Sequence, residues 1–377
     1  MSLAVDLSEG RYDRQELLTW WDQERLRRAA VLVVGAGALG NEIAKNLALV
    51  GVGRIVLVDM DHIEFSNLAR CVLFRDGDAG RPKAQVAAEA ITALNPGVAV
   101  EGIVADIRSL GLGWWRQFDL IIGGLDNREA RAWVNQAARK LGTPWVDGAI
   151  EGLRGVARVF MPEGACYECT LGEVDQRILA QRRSCALLTA EQMRTGHVPT
   201  TATTSSVIAA VQTQEAIKLI VAREDLLALR NRAFVYYGET LETYHVDYGE
   251  DPECLAHDRY ERLVVVGYRD TTTLRDLFGR VAPDGSAVAD LEHDLIVAGH
   301  CAACGVSRAI TRFAPAVSDG EARCPTCDEL FGFETTVSVA SDDGLCDVPL
   351  RDLGLADHEV VTVRTAEQRT HFVLEPA

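Results

Sequence analysis

Short runs of apolar residues alternate with longer amphipathic stretches along the first part of the chain. The apolar runs lie at residues 31–34, 55–59, 98–106 and 118–124. The stretches between or after them repeat apolar residues every three or four positions, as helices do, at residues 39–53, 81–96 and 127–142. Strands that alternate with helices build parallel sheets, so this part predicts an α/β fold with a doubly wound, Rossmann-like, mostly parallel sheet.

Further along, the pattern changes twice. Residues 143–162 are typical of strands, residues 205–222 of one long apolar helix, and residues 232–248 of two more strands. We place the end of this first domain at residue 257. Residues 258–377 then predict a smaller, β-rich C-terminal module with cysteines in its middle.

Composition and charge narrow the function. The 377 residues are 48% hydrophobic and 25% charged, as in globular proteins, and the length favours two domains. A formal charge of −17 disfavours nucleic acid as the partner, because binding to phosphates relies on Lys and Arg; a basic protein is the better candidate. The start, MSLAVDLSEG, lacks the basic region followed by an apolar region that marks a signal peptide, and no apolar run approaches the length of a membrane helix. We therefore expect a cytoplasmic protein that does not contact membranes.

A glycine loop follows the first predicted strand. Gly35, Gly37 and Gly40 have the spacing G-x-G-x-x-G, which lets backbone amides and a helix N-terminus approach a phosphate. Asp59 ends the second predicted strand, about 20 residues further on, where a carboxylate can bind ribose hydroxyls. These features alone fit an NAD enzyme as well as an ATP enzyme.

Four polar residues that follow the loop favour ATP. Asn67, Arg70 and Lys83 come after the second predicted strand, and Asp126 ends a later one. Cleavage of a triphosphate needs cations on its phosphates and a carboxylate for Mg²⁺, whereas a dehydrogenase needs no such set. Each residue by itself could be an ordinary surface charge, but together they predict binding of ATP and Mg²⁺.

The cysteines are paired like metal ligands rather than like disulfides. A C-x2-C pair at Cys301 and Cys304 and another at Cys324 and Cys327 are about 20 residues apart, the spacing of a structural zinc site. Zinc there would stabilise a module too small to bury much core.

Several segments, in matching order, resemble the ThiF/MoeB and ubiquitin-activating enzyme superfamily. They are RYDRQ at 11–15, the glycine loop and helix at 35–53, DMDHIEFSNLAR at 59–70, GRPKAQVAAEAITALNP at 80–96, LDN at 125–127 and CYEC at 166–169. The resemblance covers roughly the first two thirds of the chain. It implies a ThiF-type adenylation domain that transfers AMP from ATP to a C-terminal glycine carboxylate and releases pyrophosphate.

The resemblance also implies a role for each matching residue. Asp59 would hold the ribose, with Asp61 also in the nucleotide site, Asn67, Arg70 and Lys83 would hold the phosphates, and Asp126 the magnesium. Arg14 would reach the phosphates of the neighbouring subunit, which implies a homodimer. The chain departs from the family pattern at Asn41, where small residues or Cys are usual, and at Cys71, where Gln is common.

A second zinc site is implied in the same way. Cys166 and Cys169 match the first half of the family's zinc site, and Cys254 and His257 stand where its second C-x-x-C is expected. Imidazole can replace a thiolate at zinc, so we expect two structural zinc ions per chain. The alternative is two small buried cysteines beside a surface histidine.

Three functional classes remain open. The first is an activating enzyme that passes the adenylated ubiquitin-like protein to its own cysteine and then to a conjugating enzyme. The second is a sulfur-carrier adenylyltransferase, or a relative that adenylates a peptide or tRNA carboxylate, with no thioester step. The third is an inactive scaffold subunit. We favour the first, because residues 172–204 and the start of the next helix resemble bacterial activating enzymes of ubiquitin-like conjugation (Bil-type) operons. An inactive scaffold is disfavoured because this chain has the expected polar residue at every position of the nucleotide site, whereas inactive subunits usually lose several.

Cys185 is the candidate nucleophile. It lies in the segment at 172–204 where relatives carry their reactive cysteine on a mobile crossover, and it follows Arg182 and Arg183, whose charge would stabilise a thiolate. The zinc assignments remove most other cysteines, Cys346 lies in the terminal module, and Cys71 adjoins Arg70. The alternative is a buried structural cysteine.

Overall fold

The computed structural model describes residues 10–172, 199–283 and 285–377. Its contacts divide these residues into two compact units. The first unit contains the described residues up to Ile107, residues 117–170 and residues 199–257, and the second contains residues 108–116 and 258–377. Within the described ranges, none of the helices is both long and apolar enough to cross a bilayer.

An eight-stranded sheet forms the first unit. Its strands are β1 Ala30–Val34, β2 Arg54–Val58, β3 Ala99–Ile103, β4 Leu120–Gly123, β5 Trp145–Glu151, β6 Arg154–Phe160, β7 Arg232–Tyr237 and β8 Glu242–Asp247. Their order is β3-β2-β1-β4-β5-β6-β7-β8. Strands β1 to β5 pair with one another in parallel, and β6 pairs antiparallel with β5, β7 with β6 and β8 with β7. The predicted doubly wound sheet is therefore confirmed and has an antiparallel extension.

Six α-helices lie in the described part of this unit. They are α1 Asp13–Glu16, α2 Gln23–Arg28, α3 Ala38–Leu49, α4 Lys83–Leu94, α5 Arg128–Leu141 and α6 Ala202–Ile220. Helix α5 shows how the sequence sets its ends: the Asn127 side chain accepts from the Ala130 amide at the start, and Gly142 adopts a left-handed conformation at the end. The buried faces of α3, α4 and α6 pack with β1 and β2 in one apolar core.

The parallel order decides where a ligand site can form. Strands β1 and β2 are adjacent, and β4 flanks β1 on the other side, so the carboxyl ends of all three meet at one edge of the sheet. The chain order also reverses direction between β1 and β4, and such a switch point leaves a crevice beyond the strand ends. The glycine loop, Asp59 and Asp126 all follow these strands.

The second unit is β-rich, as predicted. Its strands are β9 Leu263–Tyr268, β10 Val288–His300, β11 Ser307–Phe313, β12 Gly332–Ala340, β13 Val360–Arg364 and β14 Arg369–Pro376, and its helices are α7 Leu274–Val281 and α8 Asp319–Ala322. The sheet order is β11-β10-β13-β14-β9, with β12 also paired to β10. Residues 108–116 join this unit, where the Gly113 amide donates to the His358 carbonyl at 2.7 Å.

Candidate functional site

The loop between β1 and α3 can only be built from glycine at two positions. Gly35 has φ +93°, and an added Cβ there would lie 2.6 Å from the Gly124 carbonyl oxygen. A Cβ on Gly40 would lie 1.8 Å from the Gly35 carbonyl oxygen. At Gly37, by contrast, a Cβ would meet nothing within 4 Å. The loop is therefore packed tightly against backbone at Gly35 and Gly40 and is open at Gly37. Because Gly37 is the N-cap of α3, an anion can approach the loop there.

Asp59 braces this loop. Its Oδ2 accepts from the Ala36 amide at 2.6 Å, and its Oδ1 accepts from the Asp61 amide at 2.8 Å. Burial raises the pKa of this carboxyl, and the nearby Lys83 ammonium opposes the shift. Because each carboxylate oxygen has a second lone pair, the carboxylate can still accept from a ribose hydroxyl. The sequence predicted the ribose role alone, and the bracing of the loop is an additional one.

Asn41 contacts this loop, although the sequence identified it only as a departure from the family pattern and assigned it no role. Its side chain is fully buried, and its Nδ2 donates to the Ala36 carbonyl at 2.7 Å and to the Gly37 carbonyl at 3.2 Å. Its Oδ1 accepts from the Leu73 amide at 2.9 Å. Asn41 therefore joins the glycine loop to the segment that follows Arg70. A polar residue on the buried face of a helix was the available signal.

We expect Asn41→Ala to lower the free energy of unfolding by about 2 kcal/mol, because the buried Leu73 amide loses the Asn41 Oδ1 as its acceptor. Nucleotide affinity should fall as well, since the loop carbonyls lose their donor. Urea unfolding and calorimetric ATP titration measure the two effects. The control is Asn46→Ala on the same helix, which lies at a half-buried position. Equal effects of both substitutions would show that the loop contacts of Asn41 are unimportant.

The cations Lys83 and Arg70 and the side-chain amide of Asn67 lie close together in the segment that follows β2. The Lys83 ammonium lies 2.9 Å from Asp61 Oδ2, with its side chain only 13% exposed. Burial alone would lower the pKa of Lys83, but the Asp59 and Asp61 carboxylates outweigh it and raise the pKa, so Lys83 is a cation at neutral pH. Arg70 is fixed on the neighbouring turn, where its Nη1 donates to the Ser66 carbonyl at 2.6 Å.

Asn67 lies on the same turn as Arg70 and is buried. Its Oδ1 accepts from the Glu64 amide at 3.0 Å, which closes the short 3-10 helix Phe65–Asn67. This contact fixes the direction of the turn that carries Arg70. The structure therefore brings Asp59, Asp61 and Lys83 together by direct contact and holds Asn67 and Arg70 on one adjoining turn.

Asp126 lies in the loop that follows β4. The Gly124 amide donates to the Val34 carbonyl at 2.8 Å, so this loop leaves the sheet beside the glycine loop. Asp126 itself is exposed, and its Oδ1 accepts a long hydrogen bond of 3.4 Å from Asn127 Nδ2. An exposed carboxylate beside a phosphate loop suits a magnesium ligand, because Mg²⁺ keeps several waters.

Arg14 is exposed on α1, away from this group. Tyr12 anchors that segment, since the Asn95 Nδ2 donates to the Tyr12 hydroxyl at 2.8 Å and a Cβ on Gly51 would touch the Tyr12 ring. Gly51 follows the C-terminal end of α3, whereas the glycine loop precedes its N-terminal end. A 12-residue helix is about 18 Å long, so the anchor of Arg14 lies far from the loop of its own chain.

The first cysteine cluster joins two distant parts of the first unit. Cys166 Sγ lies 3.7 Å from both Cys169 Sγ and Cys254 Sγ, and Cys169 Sγ lies 3.2 Å from His257 Nε2. A tetrahedron with Zn–S bonds of about 2.3 Å has edges of about 3.8 Å, so the donor set fits zinc. Glu250 lies 3.5 Å from the other ring nitrogen of His257, an arrangement that orients a histidine ligand.

The second cluster lies in the second unit between β10 and β12. Cys301 Sγ is 3.4 Å from Cys327 Sγ, and Cys304 Sγ is 3.4 Å from Cys324 Sγ. These four residues and the four of the first cluster are the metal-capable groups found among the described residues. All eight predicted ligands are thus gathered in the predicted sets of four, with no position left for substrate.

We expect two zinc ions per chain by elemental analysis of the purified protein. Cys166→Ser and Cys301→Ser should each remove one ion and lower the melting temperature, because structural zinc contributes directly to folding. Cys346→Ala, which changes a buried cysteine outside both clusters, should keep both ions. One zinc per chain that is lost in Cys301→Ser but kept in Cys166→Ser would show that the histidine-containing set does not bind metal.

Cys185 and Cys71 are the two cysteines that the sequence analysis compared as candidate nucleophiles for acyl transfer. Cys185 lies outside the described residues. Cys71 is buried, and its burial raises the pKa of the thiol to about 11, although Arg70 and Lys83 act in the opposite direction. Cys71 is therefore a neutral thiol at physiological pH and a poor nucleophile.

Comparison with known proteins gives one family match. The model of the ThiF family matches residues 12–256. The chain is 33% identical over 269 residues to the SAMP-activating enzyme E1 of Haloferax volcanii. The matched region covers 67% of this chain and 91% of that protein. It is 44% identical over 169 residues to the sulfur carrier protein adenylyltransferase of Thermus thermophilus, which covers 42% of this chain and 62% of that protein.

Other relatives are longer than the matched region. The chain is 42% identical over 154 residues to the NEDD8-activating enzyme E1 catalytic subunit of Schizosaccharomyces pombe, which covers 39% of this chain and only 35% of that subunit. Among solved structures, E. coli MccB with ATP superposes with a TM-score of 0.55 at 24% identity, over 67% of this chain and 76% of that one. Identity this low supports the fold alone.

Proposed function

The chain belongs to the ThiF family, and on that premise we propose that it is an adenylyltransferase that uses ATP to activate the C-terminal carboxylate of a ubiquitin-like or sulfur-carrier protein. The observation that carries this proposal is the Lys83 ammonium, held by Asp61 beside the Asp59-braced glycine loop. A buried cation next to an open phosphate loop fits a triphosphate better than the two phosphates of NAD.

The chemistry follows from these residues. A carboxylate oxygen of the substrate protein attacks the α-phosphorus of ATP, and the bond from that phosphorus to the pyrophosphate oxygen breaks. Lys83, Asn67 and Arg70 bind the phosphates, whose negative charge shifts to the leaving pyrophosphate. Asp126 would hold Mg²⁺, which neutralises part of the same charge. The products are an acyl-adenylate and pyrophosphate.

We further propose that the substrate is a ubiquitin-like protein that ends in glycine and that Cys185 then accepts its acyl group. The thiolate attacks the acyl carbon, AMP leaves, and the thioester passes to a conjugating enzyme. The alternative is a sulfur-carrier adenylyltransferase, in which no thioester forms. The relatives named above include activating enzymes and a sulfur carrier adenylyltransferase, and they support both alternatives equally.

The proposal includes a cytoplasmic homodimer in which Arg14 completes the site of the partner subunit. The anchoring of α1 near the distal end of α3 supports this arrangement. Arg14→Ala and Asp126→Ala should each be inactive alone. An equal mixture after subunit exchange should recover about a quarter of wild-type activity, because half of the dimers then hold one intact site. No recovery after confirmed exchange would reject the shared site.

Exchange of labelled pyrophosphate into ATP tests the proposal. We expect exchange only with Mg²⁺ and with a small ubiquitin-like or sulfur-carrier protein that ends in glycine. The matched control is the same protein without its last glycine, which should give none. Exchange that does not depend on the terminal glycine would contradict activation of that carboxylate.

A further inference from the structure

A buried arginine on α5 contacts the peptide next to Asp126. Arg131 is 8% exposed, and its Nη2 donates to the Leu125 carbonyl and, at 3.0 Å, to the Gly148 carbonyl. Its Nε donates to Asp147 Oδ1 at 3.1 Å, and Asp147 is fully buried. One guanidinium therefore joins the loop after β4 to strand β5.

Neighbouring contacts fix the rest of this loop. Gln212 Nε2, on α6, donates to the Gly123 carbonyl at 2.8 Å, and the Gly124 amide donates to the Val34 carbonyl. On the other side, Asn127 Oδ1 accepts from the Ala130 amide at 2.7 Å. The Leu125 carbonyl is the acceptor of the peptide that leads directly into Asp126. Without Arg131, this peptide could rotate and turn the Asp126 carboxylate away.

We infer that Arg131 is a positioning residue that holds the Leu125–Asp126 peptide and so directs the Asp126 carboxylate toward the metal. The inference rests on the proposed function for the role of Asp126. Such a supporting contact commonly changes metal affinity by about 10- to 100-fold when it is removed. Arg131 donates to Asp147, Leu125 and Gly148, so it would act through Asp126 rather than by contact with the nucleotide.

A purely structural role is the competing explanation, because Arg131 also neutralises a buried carboxylate. The chain provides a control for it. Arg158 lies on β6, and its Nη1 donates to the other carboxylate oxygen of Asp147 at 3.4 Å rather than to the Leu125 carbonyl. Removing Arg158 therefore weakens the same buried ion pair but leaves the contact with the Leu125 carbonyl.

The experiment compares Arg131→Met with Arg158→Met in two measurements. In pyrophosphate exchange, Arg131→Met should raise the Mg²⁺ concentration for half-maximal rate about tenfold, and Arg158→Met by less than about twofold. In amide hydrogen exchange of the full chain without ligands, residues 123–127 should exchange faster in Arg131→Met only. If Arg131→Met does not fold, Arg131→Lys and Arg158→Lys replace the pair, because lysine keeps the charge but cannot hold all three acceptors.

The outcomes separate this inference from the proposed function. Equal Mg²⁺ dependence and equal hydrogen exchange in the two variants would overturn the positioning role while leaving adenylation intact. A wild-type protein without pyrophosphate exchange would overturn the proposed function. Hydrogen exchange would still decide, in that case, whether Arg131 fixes the loop.

Discussion

Asp126→Asn should abolish Mg²⁺-dependent pyrophosphate exchange, with a loss of about a hundredfold or more. The substitution keeps the size and the exposed position of the side chain and removes only its charge. A Mg²⁺ ion held by Asp126 would lose this carboxylate ligand, and less of the negative charge on the leaving pyrophosphate would be balanced. Exchange rates at several Mg²⁺ concentrations measure the loss.

The control for this substitution is Glu129→Gln, which neutralises a carboxylate in the first turn of α5. It should keep a rate within about twofold of wild type, because Glu129 is not one of the proposed magnesium ligands and the effect of a more distant charge is screened by water and salt. Folding is compared by melting temperature, since the exposed Asp126 should add little stability. An undiminished rate in Asp126→Asn would remove this residue from the metal site.

Cys185→Ala should stop thioester formation completely while adenylate formation continues. The alanine lacks the sulfur proposed to accept the acyl group, whereas the residues proposed to bind ATP lie on other segments of the chain. Incubation with ATP, Mg²⁺ and the ubiquitin-like protein, followed by electrophoresis with and without thiol, detects the thioester. Mass spectrometry of the same reaction detects the adenylate.

Cys71→Ala serves as the comparison for this variant. Because the Cys71 thiol is buried, with a pKa raised to about 11, its removal should leave the thioester unchanged. Persistence of a thiol-sensitive conjugate in Cys185→Ala would exclude Cys185 as the acceptor. Wild-type enzyme that forms adenylate but never a thioester would favour the sulfur-carrier alternative.

The sequence predicts those parts of the site that depend on local spacing. The glycine loop can be predicted because few sequences can form a tight turn between a strand and a helix. The structure has this turn at Gly35, Gly37 and Gly40, as predicted. Each zinc-ligand pair can also be predicted, because its two residues are only three positions apart in the sequence. The fold then brings two such pairs together at each cluster. The alternation of strands and helices gives the parallel part of the sheet for the same reason.

Contacts between distant segments could not be predicted in this way. Asn41 and Arg131 act on backbone carbonyls and amides, which every residue carries, so no sequence pattern marks their partners. The contact of Gly113 with His358, which joins residues 108–116 to the second unit, likewise crosses a long stretch of chain. For Asp59, the sequence predicts the position at the end of β2 but not the hydrogen bond that its carboxylate accepts from the Ala36 amide.

The products of the reaction test the central claim most directly. The enzyme, ATP, Mg²⁺ and a ubiquitin-like or sulfur-carrier protein with a terminal glycine are incubated, and intact mass spectrometry of the small protein is combined with an assay for released phosphates. We predict that the small protein gains one adenylyl group and that pyrophosphate is released. Release of ADP and orthophosphate with no adenylyl adduct would contradict adenylation, whatever the affinity for ATP.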